Sequence, residues 1–252
     1  MVNFVGAGPG ATDLITLRGA ALIKEADVII YAGSLVNKEL LAMAKSECRI
    51  YNSATMNLDE VMEVIYEAEK NKLMTVRLHT GDPCIYGAIR EQMDRLKEKN
   101  IEYAYCPGVS SFCGAAAALK AEYTLPNVSQ TVMITRMAGR TPVPEKESIR
   151  SLAAHGSTMV IFLSMGLLGE LTKELVEGGY SEDTPAAIVY KATWPEEESY
   201  ICTIGSLEET AAEHGITKTA LILVGDVIAH RGYEKSRLYA PDFSTEFRQA
   251  KE

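Results

Sequence analysis

The sequence predicts an α/β protein of two α/β domains, a mainly parallel N-terminal sheet and a mixed C-terminal sheet, with the active site in the cleft between them. Three observations carry that expectation. Apolar runs at residues 1–5 and 73–78 each lead into a glycine loop, Gly6-Ala7-Gly8-Pro9-Gly10 and Gly81-Asp82-Pro83-Cys84-Ile85-Tyr86-Gly87, as buried strands do where a ligand approaches the backbone. Strand and helix signals then alternate through about five βα steps in roughly the first 120 residues, the pattern of a parallel sheet. Farther on the strands crowd, and two of them lack a helix-length segment between them, which predicts antiparallel pairing.

In chain order, residues 1–5 read as the first strand, and Thr16 can cap a helix running to about Ala26. Residues 27–31 read as a second strand, 37–45 as a helix and 49–51 as a short strand. Asn57-Leu58-Asp59-Glu60 has the form of a capping box, and Val61, Val64, Ile65 and Ala68 behind it keep the spacing of a buried helix face. The strand at 73–78 leads into the second loop. Ile89, Met93 and Leu96 mark another amphipathic helix, and 102–106 another strand. Pro107-Gly108 opens a turn, after which Ser110 or Ser111 can cap an alanine-rich helix to Lys120. Later strands are expected at 131–135, 159–163, 186–190, 200–204 and 220–224, with 186–190 and 200–204 forming a hairpin. The domains accordingly span 1–120 and 127–232, followed by a polar, loosely ordered tail over 233–252.

Composition narrows the function. With 47% hydrophobic and 23% charged residues, the chain has the makings of an ample core. No run approaches a membrane span and no basic-then-apolar leader precedes the first strand, so a cytoplasmic protein without a membrane partner is expected. A net charge of −9 without a basic block opposes nucleic-acid binding, which depends on neutralising phosphates. The five cysteines contain no C-x-x-C pair and the four histidines are scattered, so neither a structural disulfide nor a protein-bound metal is expected.

Gly6-Ala7-Gly8-Pro9-Gly10-Ala11 formally fits the dinucleotide pattern G-x-G-x-x-G/A. Its context does not. The helix starts near Thr16, too far on to meet a pyrophosphate, and Pro9 removes an amide donor. The second strand ends in Tyr31-Ala32-Gly33, without a carboxylate for a ribose hydroxyl.

Five motifs in order point elsewhere: the first glycine loop with Thr16-Leu17, Gly81-Asp82-Pro83, Pro107-Gly108-Val109-Ser110-Ser111, Phe162-Leu163-Ser164-Met165-Gly166, and Ala220-Leu221-Ile222-Leu223-Val224-Gly225. Over about residues 2–230 the chain resembles the tetrapyrrole (class III) S-adenosylmethionine methyltransferases. Tyr31-Ala32-Gly33-Ser34-Leu35-Val36, Pro126-Asn127-Val128-Ser129-Gln130-Thr131, Thr135 to Glu145, and Ala192-Thr193-Trp194-Pro195 resemble the branch that methylates corrin precursors at C-11. Uroporphyrinogen-III methyltransferases carry an Asp where Ala32 stands here.

The resemblance implies a usually dimeric enzyme acting on precorrin-4 or, by preference, its cobalt complex, with S-adenosylmethionine as donor. Its cofactor contacts map onto Pro9, Thr80, Gly81, Asp82, Ile85, Ser110, Ser111, Met165, Ala192, Thr219 and Ala220. Substrate contacts are assigned to Gly8, Tyr86, Arg136 and Arg140. Other tetrapyrrole positions, RNA or protein as substrate, and a non-catalytic tetrapyrrole sensor are the alternatives.

Methyl transfer is an in-line displacement at a sulfonium carbon and needs alignment more than a strong base. A carboxylate against the sulfur would favour the ground state, so Asp82 is read as a positioning residue. A tetrapyrrole brings several carboxylates to an acidic protein and needs local cations. Arg136 and Arg140 come first, since a guanidinium fork can grip a carboxylate bidentately. Lys191 and Arg90 rank behind them, and Cys84 reads as a small lining residue.

Overall fold

The structure, a computed structural model, describes residues 1–33 and 35–250. Ser34, within the 31–36 stretch singled out above, and the last two residues of the tail lie outside the described residues. The chain forms two compact units, Met1–Ala115 with Lys191–Glu197, and Ala116–Tyr190 with the chain from Glu198 onward.

The first unit is built on five parallel strands in the order β3-β2-β4-β1-β5. They are β1 (Val2–Gly6), β2 (Val28–Tyr31), β3 (Arg49–Asn52), β4 (Thr75–His79) and β5 (Tyr103–Cys106). Every residue of β1, β2 and β4 is buried, because helices cover both faces of a parallel sheet. On one face Val5, Ile29, Val76 and Leu78 pack with Ile23 of α1 (Leu17–Glu25). On the other, Val2, Phe4 and Ile30 meet Met62 and Ile65 of α2 (Leu58–Lys70) and Leu96 of α3 (Arg90–Glu98). Thr16 caps α1 by accepting from the Gly19 amide at 3.0 Å, and Asn57 and Glu60 close the capping box of α2. A 3₁₀ turn at Thr12–Leu14 separates the glycines from α1.

One element differs from expectation. Residues 37–45 do not form an α-helix but a six-residue 3₁₀ segment, Lys38–Met43. Asn37 caps it at the Glu39 amide while its own amide group reaches back to the Gly10 carbonyl, and Ala44 returns to extended backbone. The Asn37 end of the segment is thereby tied to the first glycine loop.

In the second unit five strands run in the order β6-β7-β10-β8-β9: β6 (Val132–Arg136), β7 (Thr158–Phe162), β8 (Pro185–Tyr190), β9 (Glu198–Thr203) and β10 (Ala220–Val224). Only β6 and β7 pair in parallel, and β8 and β9 form the expected hairpin with Ile188 opposite Tyr200. Met159, Ile161, Ile188 and Ile222 pack with Ile149 of α5 (Ile149–Ala153), Leu171 and Leu175 of α6 (Leu168–Glu177) and Leu207 of α7 (Leu207–Glu213).

The division departs from the expected domains at two places. It falls inside α4 (Ser111–Leu119) rather than at residue 120, and Lys191–Glu197 returns to the first unit. Thr193 and Trp194 draw that segment in by hydrogen-bonding the first glycine loop. The tail is braced locally, Arg248 donating to the carbonyls of Leu238, Ala240 and Phe243. Among the described residues no helix is long and apolar enough to cross a membrane.

Candidate functional site

Three adjacent strands of the first sheet, β4, β1 and β5, end in glycine loops on one edge, where open α/β sheets bind ligands. The loops touch through bare backbone. A Cβ on Gly6 would lie 2.6 Å from Gly108 and from the Gly81 carbonyl oxygen, and one on Gly108 only 2.3 Å from that oxygen. Gly8 and Gly81 exchange two hydrogen bonds, Gly8 N–H to Gly81 O at 3.3 Å and Gly81 N–H to Gly8 O at 2.8 Å. Both have left-handed φ, +82° and +60°, a conformation that glycine adopts without steric cost.

Asp82 joins this arrangement through its carboxylate. Oδ1 accepts the Cys84 amide at 2.8 Å and the Tyr105 hydroxyl, while Oδ2 accepts the Gly108 amide at 2.8 Å. Burial pushes the Asp82 carboxyl up, but the hydrogen bonds from Tyr105, Cys84 and Gly108 outweigh it and hold the group below its ordinary value. The same pair raises the Tyr105 phenol, by burial and then by the hydrogen bond to Asp82. Asp82 thus fastens the loop after β4 to the loop after β5.

Around this centre the structure gathers most of the first-unit residues assigned from sequence. The α carbon of Ser110 and the amide nitrogen of Ser111 lie 3.4 and 3.5 Å from where a Gly81 Cβ would stand. Pro9 and Ala192 flank Gly114 of α4, their Cβ atoms 3.3 and 3.4 Å from its virtual Cβ. Thr80 Oγ1 is buried and finds no hydrogen-bond partner among the described residues. Ile85 is half-buried, and Tyr86 is exposed with a left-handed φ of +55°. Cys84 is exposed, and its thiol is raised chiefly by its hydrogen bond to Asp82, so it is a poor nucleophile.

Several supporting residues escape sequence reasoning. Thr193 Oγ1 accepts the Ala11 amide at 3.0 Å, Trp194 Nε1 donates to Pro9 O at 3.2 Å, and Asn37 Nδ2 donates to Gly10 O at 2.9 Å. Trp194 left a signal, being the chain's single tryptophan inside a motif already singled out. Arg77, buried on β4, donates to Ile30 O and Gln92 Oε1, and Gln92 donates in turn to Ala88 O, bracing the loop that carries Tyr86. Burial lowers the Arg77 guanidinium to about 10. It also lowers neighbouring His79 to about 3, with Arg77 adding repulsion, so this histidine is neutral.

In the second unit Met165 is buried in the turn after β7, and Ala220, opening β10, packs against the same cluster. Thr219 precedes it with a left-handed φ of +61°. Fully buried Ser164 donates to Phe162 O at 2.7 Å and accepts the Met137 amide at 2.9 Å, tying the ends of β6 and β7. Arg136 turns its guanidinium onto its own loop, donating to the carbonyls of Met137, Thr141 and Pro142 at 3.0, 2.9 and 3.0 Å. Arg140 stands exposed on that loop. Of the second-rank cations, Arg90 is 2.7 Å from Asp94 and Lys191 is 3.6 Å from Glu196.

Comparison with known proteins adds the following. The family profile "Tetrapyrrole (Corrin/Porphyrin) Methylases" matches residues 1–208. A protein of Methanocaldococcus jannaschii named cobalt-precorrin-4 C(11)-methyltransferase is 53% identical over 249 residues, covering 99% of this chain and 96% of that one. The X-ray structure of a cobalamin biosynthetic enzyme, cobalt precorrin-4 methyltransferase, aligns with a TM-score of 0.88 at 44% identity, covering 90% of this chain and 95% of that one. A Thermus thermophilus uroporphyrin-III C-methyltransferase complexed with S-adenosyl homocysteine aligns at 0.76 and 26% identity, covering 91% and 99%.

Proposed function

The chain belongs to the tetrapyrrole (corrin/porphyrin) methylases, and on that premise we propose that it transfers a methyl group from S-adenosylmethionine to carbon 11 of cobalt-precorrin-4, giving cobalt-precorrin-5 in cobalamin biosynthesis. The observation that carries this reading is the likeness, along nearly the whole chain, to the Methanocaldococcus jannaschii protein of that name. Cobalt belongs to the substrate, which would carry it in the macrocycle.

The loop edge suits the donor. The buried Thr80 hydroxyl finds no hydrogen-bond partner among the described residues, and it opens the loop after β4 at the sheet edge where open α/β sheets bind ligands. Bound there, S-adenosylmethionine supplies an electrophilic methyl group on a sulfonium. Pro9, Thr80, Gly81, Asp82, Ile85, Ser110, Ser111 and Ala192 of the first unit would hold it, and the family resemblance also assigns Met165, Thr219 and Ala220 to it. Gly8 and Tyr86 are assigned to the macrocycle and Arg140 to its carboxylates, with Arg136 shaping the loop that presents Arg140. Alignment of two reactants contributes about 7–11 kcal/mol towards such a barrier without a strong base. Asp82, ionised and engaged by Tyr105, Cys84 and Gly108, serves that alignment by fixing the loops. Family likeness further supports a homodimer working in the cytoplasm.

Incubation with methyl-labelled S-adenosylmethionine and enzymatically generated cobalt-precorrin-4 tests the reading. Label entering the tetrapyrrole is expected. Label entering only RNA or protein, or none entering in a folded enzyme, would overturn it.

A further inference from the structure

The hydroxyl of Tyr105 plays no part in the reaction just described, yet it meets the carboxylate that joins two of the three loops. Tyr105 ends in a phenol held at the carboxyl edge of β5, one residue before the buried Cys106 and three before Gly108. Asp82 Oδ2 on the Gly108 amide, at 2.8 Å, is the hydrogen bond that ties the loop after β4 to the loop after β5. A carboxylate ion has acceptor sites for all three of its donors, Tyr105 O–H, Cys84 N–H and Gly108 N–H. A protonated carboxyl turns one oxygen into a donor and holds the same three donors more weakly.

We propose that Tyr105 is a positioning residue: by donating its hydroxyl to Asp82 it keeps the carboxylate on the Cys84 and Gly108 amides, and so holds the glycine loops in their donor-binding shape. This rests on the donor-binding reading above. The titratable groups facing Asp82 are Tyr105 from β5 and Cys84 from its own loop. The first glycine loop and the Pro107-to-Ser111 loop bring no titratable side chain towards it. With the phenol removed, burial acts on Asp82 with one less opposing hydrogen bond, and the carboxyl protonates at a higher pH.

The test is calorimetric affinity for S-adenosylhomocysteine between about pH 4 and pH 8, a window spanning carboxylate titration. It compares the wild type with Tyr105→Phe, Asp82→Asn and the double variant, each checked for folding by circular dichroism. Wild-type affinity is expected to hold steady across the window to its acid end, whereas Tyr105→Phe starts losing affinity at a higher pH, within it. Asp82→Asn should bind weakly at every pH, with no acid limb, and the double variant should bind no worse than Asp82→Asn alone. Coincident pH profiles in wild type and Tyr105→Phe, or losses that simply add in the double variant, would overturn the positioning role. Should Tyr105→Phe fail to fold, Asp82→Asn decides: an acid limb that survives in it rules the proposal out. A wild type that binds no S-adenosylhomocysteine at any pH removes the donor reading itself, and this inference with it.

Discussion

At Gly6 a single added methyl group would collide with the main chain of two other loops, 2.6 Å from Gly108 and from the Gly81 carbonyl, and no rotamer change relieves a clash with backbone. Gly6→Ala is therefore expected to lower stability by about 1–3 kcal/mol in urea unfolding. Gly139→Ala, with nothing within 4 Å of the added carbon, should stay within about 0.5 kcal/mol of wild type, and equal losses would contradict this packing. His79 makes a second residue-scale prediction. Its folded value of about 3 lies below the unfolded 6.5, so its contribution is complete above pH 6.5 and is lost as the pH falls towards 3. Between pH 7 and 5 the wild type should lose about 2 kcal/mol more stability than His79→Gln, measured by urea midpoints, and identical slopes would show that His79 is not held neutral. Residues whose chemistry follows from local spacing were legible in the sequence: the glycines, Thr16 and Asn57. Tyr105 was not, because an aromatic residue in an alternating strand reads the same whether it packs, faces solvent or donates to an aspartate 23 residues back in the chain. The sequence reads Asp82 as a positioning residue, but Tyr105 and Gly108, which it binds on β5 and in the loop after it, come into view only once the strands are adjacent.

Elements with strong periodicity or caps fall where the sequence places them, as α1 behind Thr16 and α2 behind Asn57 show. The helix expected at 37–45 takes 3₁₀ turns, and its cap Asn37 is also bound to the Gly10 carbonyl, a tertiary tie that no propensity reveals. The return of Lys191–Glu197 to the first unit was equally hidden, since it depends on Thr193 and Trp194 meeting a loop more than 180 residues upstream. The loop after β6 carries the prediction at this scale. Arg136 serves three carbonyls with one planar fork, which a lysine ammonium cannot reproduce. Arg136→Lys should therefore raise the KM for the tetrapyrrole about tenfold, with kcat little changed and S-adenosylhomocysteine affinity unaltered. A parallel loss of S-adenosylhomocysteine affinity would place the loop on the donor instead.

For the whole molecule, alternation of strands and helices announced the parallel sheet, and the closely spaced strands 186–190 and 200–204 announced the hairpin. Strand order was not legible. Nothing in the pattern of apolar residues says that β4 slots between β2 and β1, although that insertion is what puts three glycine loops side by side. The proposed activity depends on those loops serving one reaction at one carbon of the macrocycle. The most direct measurement is carbon NMR of the product formed from methyl-¹³C S-adenosylmethionine and cobalt-precorrin-4. Enrichment in a new methyl group on C-11 is the predicted result, and enrichment at any other carbon of the ring would contradict it.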